Sequence, residues 1–181
     1  MLSEQVLRLV QKSQACVTIA SPDLPDTPIV AANHAFFKLT GYSQEETLGR
    51  NCRFLQSEER PQIAASTMRD TIRERGYCDV TVKNFKKSGE PFTNQIYLST
   101  VRASQNGPIL LIGMQFDISH EIDPDSIDTA GVRTSGETHS TVLTKHELLA
   151  RQRNALSSAF ALAVQSCLIT TQTLAHVAQR S

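Results

Sequence analysis

The sequence carries no excess of either charge. Eighteen Lys and Arg face eighteen Asp and Glu, the formal net charge is zero and the pI is near 7.0. A dedicated nucleic-acid binder usually carries a strong basic surplus, so this balance argues against that class. The four cysteines, at 16, 52, 78 and 167, form no CxxC pair. Neither a zinc site nor a secreted disulfide framework is indicated. The longest apolar runs, such as 159–164, are far short of the ~18 residues that span a bilayer. The first ten residues have no basic start, no continuous apolar core and no small-residue cleavage site, which excludes a signal peptide. Internal repeats and low-complexity tracts are also lacking. Together these absences point to a soluble, cytoplasmic chain with reduced thiols, no metal site, and neither a nucleic-acid nor a membrane partner.

What is present is enough apolar material for a real core, 40% of 181 residues. Charge divides the chain. Residues 1–116 hold 13 basic and 11 acidic side chains, 117–142 hold one basic and six acidic, and 143–181 hold four basic and one acidic. The acidic middle is rich in Ser, Thr, Gly and Asp and has no apolar periodicity, so it reads as a linker. Four regions follow: an amphipathic helix over 1–15, a domain over 16–118, a linker over 119–142 and a helical extension over 143–181.

Within the domain, 16–20 and 29–31 read as short strands around a Pro-rich loop. Asn33 can cap a helix that Gly41 ends, and Ser43 with Glu46 makes a capping box. Residues 60–75 read as a helix ended by Gly76. Three longer strands follow over 78–85, 92–102 and 109–118, with turns at 86–89 and 105–108. The expected fold class is α+β: a five-stranded antiparallel sheet with the helical middle across one face, plus a C-terminal helical extension. A cavity between helices and sheet is the natural ligand site.

Residues 49–56 read Gly-Arg-Asn-Cys-Arg-Phe-Leu-Gln. This octapeptide resembles the flavin-binding signature of LOV (light-oxygen-voltage) domains, the blue-light branch of the PAS superfamily. The resemblance spans 16–118 and includes Pro28-Ile29, Leu39-Thr-Gly-Tyr42, Asn84, Lys87-Ser-Gly89, Phe92, Asn94 and Gly113-Met-Gln115. It implies a PAS/LOV fold that binds FMN. It implies that Cys52 adds reversibly to flavin carbon C4a under blue light, and that Gln115, near N5 and O4, relays the change. Asn51, Arg53, Gln56 and Arg69 are implied contacts to the ribityl chain and phosphate, for which a guanidinium fork is well shaped. Asn84 and Asn94 are implied partners of the pyrimidine edge, where a primary amide offers both a donor and an acceptor. Ile29, Leu55, Met68, Leu98 and Leu111 are expected along the apolar faces of the ring. Thr18 and Ser57 depart from the family's usual aliphatic residue and glycine. Cys16, Cys78 and Cys167 read as small buried hydrophobes.

The pattern after residue 143 predicts a long helix to about 178, opening on a capping box at Thr144–Glu147. Positions 149, 153, 156, 160, 163, 167, 170, 174 and 177 have heptad spacing, and seven of these nine are apolar or small. The β-branched stretch 169–171 is a candidate break into two helices. His146-Glu147 resembles the start of a phosphoacceptor helix, but with no nucleotide-binding segment after it a helix-surface histidine is expected. The resulting expectation is a non-enzymatic photoreceptor, homodimeric through its terminal helices, with an unidentified downstream partner. A light-independent flavin redox sensor and a non-flavin PAS interaction module are the alternatives.

Overall fold

The computed structural model describes residues 2–56, 62–102, 104, 107–122 and 145–178, with side chains for all of these except 62–67, 176 and 177. Helix α1 (Glu4–Lys12) leads into β1 (Cys16–Ala20) and β2 (Ile29–Ala32). Short helices α2 (His34–Thr40) and α3 (Gln44–Thr47), a 3-10 turn (Cys52–Leu55) and α4 (Gln62–Arg75) follow. Strands β3 (Tyr77–Phe85), β4 (Pro91–Arg102) and β5 (Ile109–Asp117) complete the sheet, and α5 (Lys145–Ala178) is the extension. The five strands pair antiparallel in the order β2-β1-β5-β4-β3.

Local chemistry explains the boundaries. Ser3 caps α1 by accepting from the Val6 amide. Asn33 is fully buried and wholly paired: its Oδ1 accepts from the amides of Val17 and Phe36, and its Nδ2 donates to the carbonyls of Ser13 and Ala15. One side chain thus caps α2 and fixes the entry to β1. Gly41 ends α2 in the left-handed conformation, φ 76°, where a side chain would be strained. Ser43 and Glu46 form the reciprocal capping box expected of them. Lys87, in the β3–β4 turn, ion-pairs with Glu46 at 2.6 Å and donates its amide to the Thr40 carbonyl, tying that turn to the short helices.

The sheet has two covered faces. On one lie α2, α3, the 3-10 turn and α4. On the other, Val6 and Val10 of α1 and Ala161 and Val164 of α5 pack against Val17, Ile19, Val101, Leu110, Ile112 and Met114. At about 25 cal/mol per Å2 of buried apolar surface, this second layer is a substantial part of the stability. The terminal helices therefore belong to the core of the chain as well as flanking it.

Helix α5 is one unbroken helix of 34 residues. The expected break at 169–171 does not occur. The Thr170, Thr171 and Thr173 hydroxyls donate to the carbonyls of Ser166, Cys167 and Ile169, one turn back, so the helix absorbs these residues locally. Its buried ridge is Ser157, Ala161 and Val164, and Phe160 and Cys167 of the expected seam, with Leu168, are partly buried against the same core. Leu148, Leu156, Leu162, Ile169 and Leu174 remain exposed. By length and composition α5 is apolar enough to cross a membrane, which the run-length criterion had not shown. The capping box at Thr144 and the acidic linker from 123 onward lie outside the described residues, as does Ser57. The linker's first four residues are folded onto the sheet: the Thr93 amide donates to the Ser119 hydroxyl, and the Thr93 hydroxyl donates to the Ile122 carbonyl.

Candidate functional site

Side chains directly opposite each other on antiparallel strands share a face. The register therefore builds the site. One row across the sheet is Cys16, Gln115, Ile96 and Val80, and the next is Thr18, Gly113, Leu98 and Cys78. Asn94 pairs with Val82, and Asn84 lies two residues on. All face the short helices and α4, whose Met68 and Ile72 pack against Cys78, Val80, Ile96 and Leu98. Gly113 matters through the side chain it lacks. A Cβ there would lie 2.7 Å from Thr18 Oγ1 and 3.4 Å from Leu98, so the bare backbone is what lets these two neighbours close together over the centre of the site's floor.

Three buried amides cross this floor in sequence. Asn94 Nδ2 donates to Asn84 Oδ1 and to Gln115 Oε1, each at 2.9 Å. Gln115 Nε2 then lies 4.0 Å from Cys52 Sγ. The 3-10 turn sets that thiol in place, Asn51 capping it by accepting from the Arg53 amide. Burial pushes the Cys52 thiol up to about 12, against the opposing effect of the Gln115 amide. It is therefore a protonated thiol at neutral pH and not a thiolate. Asn94 Oδ1 is buried with no hydrogen-bond partner among the described residues. A buried orphan acceptor is costly and points to a group that would satisfy it.

The apolar residues expected in the site are distributed around it. Ile29 and Leu55 are buried in one cluster that also contains Cys16 and takes in Cys52 at its edge. Leu98 is partly buried in the α4 cluster, and Leu111 is partly buried opposite Ala20 on the same sheet face. The rim is polar. The Arg53 guanidinium ion-pairs with Asp26 in the β1–β2 loop, and the Asn51 amide donates to the carbonyls of Asp26 and Thr27. Asp26 and Thr27 both adopt positive φ, so these contacts brace a strained loop beside the site. Arg69 is exposed on α4, and Gln56 caps the 3-10 turn at the same rim. The Asn51 side chain is thus engaged with protein, and Arg53 already has an anionic partner.

Cys16 is the small buried residue expected, but its place on the site face was not legible in its sequence context. It is buried beside the Gln115 row, and both burial and the nearness of Cys52 push its thiol up. Only the β1–β5 register reveals this, because a one-residue slip would turn Cys16 to the other face.

Residues 14–120 match the model of the PAS domain family. The chain is 41% identical over 106 residues to phototropin-2 of Oryza sativa subsp. japonica, covering 59% of this chain and 12% of that protein. It is 39% identical over 104 residues to a blue-light-activated histidine kinase of Brucella ovis, covering 58% of this chain and 21% of the kinase. The chain belongs to the PAS family, in its LOV branch. The crystal structure of a Rhodobacter sphaeroides LOV protein extends the likeness beyond the domain: 25% identity and a TM-score of 0.61, over 90% of this chain and 94% of that one. That coverage of this LOV chain is wider than the 14–120 segment matched by the family. The chain spans 12% and 21% of the two curated relatives, so what those whole proteins do is a separate matter.

Proposed function

We propose that this LOV chain is a blue-light photoreceptor that binds FMN against the amide-bearing face of its sheet. The thiol–amide row Cys52, Gln115, Asn94 and Asn84 carries the reading. The residues fit the cofactor: Asn94 Oδ1 lacks a partner among the described residues, and the amides supply both donors and acceptors. When bound, the flavin supplies a light-excited ring whose C4a carbon can accept a thiol. Cys52 contributes that thiol together with its proton, which its raised affinity for protons keeps in place before illumination. Gln115, placed against both Cys52 and Asn94, reorients its amide as the hydrogen-bonding character of the ring edge changes. Arg53 and Arg69 are assigned to the phosphate, Arg53 exchanging or sharing its bond to Asp26. Asn51 braces the loop and, with Gln56, borders the ribityl chain.

The output assigned to the chain is a change in the affinity or geometry of a homodimer formed through its terminal helices, without an enzymatic step and in the cytoplasm. The exposed Leu148, Leu162 and Ile169, with Ala155 and Ala159 between them, follow heptad spacing along α5 and support this assignment. The deciding experiment is a visible spectrum of dark-purified protein before and after blue light. A structured flavin band that bleaches and recovers in darkness is expected. Bound flavin with no reversible bleaching would leave a redox flavoprotein, and colourless protein that takes up no added FMN would leave a PAS interaction module.

A further inference from the structure

The face of the sheet opposite the thiol–amide row carries a polar clasp on α5. Arg153 Nη1 donates to Gln95 Oε1 at 3.0 Å and to Glu121 Oε2 at 3.3 Å, and Nη2 pairs with Glu121 Oε1. The Arg153 guanidinium also lies 5.8 Å from the ring centroid of Phe116. Phe116 meets Tyr97 edge-to-face, and the Tyr97 hydroxyl donates to the Ala150 carbonyl at 2.8 Å. His146 Nδ1 lies 2.9 Å from the other Glu121 oxygen. Arg153 and Glu121 are nearly buried, their side chains 13% and 10% exposed, so the pair is weakly screened.

The chain positions of these partners are informative. Gln95 follows Asn94, Phe116 follows Gln115, and Gln95 and Phe116 are themselves opposite each other in the β4–β5 ladder. Strand alternation places each on the reverse side of the sheet from a pocket amide. A change of twist at Asn94 and Gln115 cannot occur without moving Gln95 and Phe116, because they are joined by single peptide units. One guanidinium touches both of those reverse-side groups and holds the α5 helix at the same time. Its planar fork can hold a carboxylate and an amide together, which a lysine ammonium on a flexible stem does less well.

We propose that Arg153 is the coupling residue of this chain: through Gln95 and Phe116 it passes the state of the thiol–amide row to the first turns of α5. The proposal rests on the light-sensing reading above. Arg153 is a positioning residue here and touches no part of the flavin site.

The test is amide hydrogen exchange over 145–156 in flavin-loaded full chain, dark and illuminated, for wild type, Arg153→Lys and Arg153→Met, with visible spectra of each. Wild type shows a light–dark difference in that segment. Arg153→Lys keeps the charge pair with Glu121, so its dark exchange stays close to wild type, while its light–dark difference shrinks about threefold or more. Arg153→Met loosens the segment already in the dark, by about tenfold. Both variants bleach and recover as wild type does. A full light–dark difference in both variants overturns the proposal. So does dark exchange in Arg153→Lys as fast as in Arg153→Met, since Arg153 would then be only a clamp. A wild type that bleaches without any difference over 145–156 also removes it and leaves the photoreceptor reading intact. A wild type that takes up no flavin or does not bleach removes that reading, and the proposal with it.

Discussion

At the scale of single residues, each member of the thiol–amide row has a separable consequence. Cys52→Ala removes the sulfur and leaves the amides, so flavin stays bound while reversible bleaching disappears from the visible spectrum. Asn94→Leu deletes both the two-way donor and the orphan acceptor in a fully buried position. Each lost buried hydrogen bond is worth roughly 1 kcal/mol. FMN affinity should fall about tenfold or more by fluorescence titration, and an affinity equal to wild type would remove Asn94 from the site. The octapeptide made Cys52 legible in the sequence because it carries its own local context. Cys16 was illegible for the opposite reason: its role depends on which β5 residue it faces.

At the scale of elements, the caps and strands could be read because their signals are local. Asn33, Gly41 and the Ser43–Glu46 box act over three or four residues, and strand alternation acts over two. The seating of α5 could not be read this way. Apolar residues lie around much of that helix, so several ridges could have met the sheet, and the Ser157, Ala161 and Val164 ridge is selected by contacts from distant strands. Val164→Ala removes two fully buried methyl groups and should lower stability by about 1.5 kcal/mol, read as a fall in Tm of a few degrees. The clasp adds a pH dependence. Arg153 above all, then His146 and His120, hold the Glu121 carboxyl below the ordinary carboxylate range. A depressed carboxyl stabilises the fold above its unfolded pKa, and that contribution is lost as pH falls through the depressed value. Docking of α5 should therefore weaken in acid, and Glu121→Gln should flatten that part of the stability–pH profile. A Glu121→Gln profile superimposable on wild type would show that the clasp adds nothing.

At the scale of the whole molecule, the sheet is shared by two layers with different tasks. One face holds the proposed cofactor site, and the other holds α1 and α5 as part of the same core. The far side of α5 still exposes Leu148, Leu162 and Ile169. Size-exclusion chromatography with light scattering should show a dimer in at least one of the dark and illuminated states, with a changed elution or mass between them. A monomer that elutes identically in both would exclude dimerisation as the output. Leu162→Glu on the exposed stripe should shift the population toward monomer while leaving the visible spectrum unaltered.

The Asn94 oxygen, unpaired among the described residues, also bears on how long the molecule survives in a cell. A fold that buries an unsatisfied acceptor is less stable alone than with the ligand that satisfies it, and any ligand bound only by the native state deepens that state by mass action. Chains made while riboflavin derivatives are scarce would open more often and be degraded sooner. Vitamin supply would then regulate the abundance of the receptor, so the number of sensors tracks the number that can be loaded.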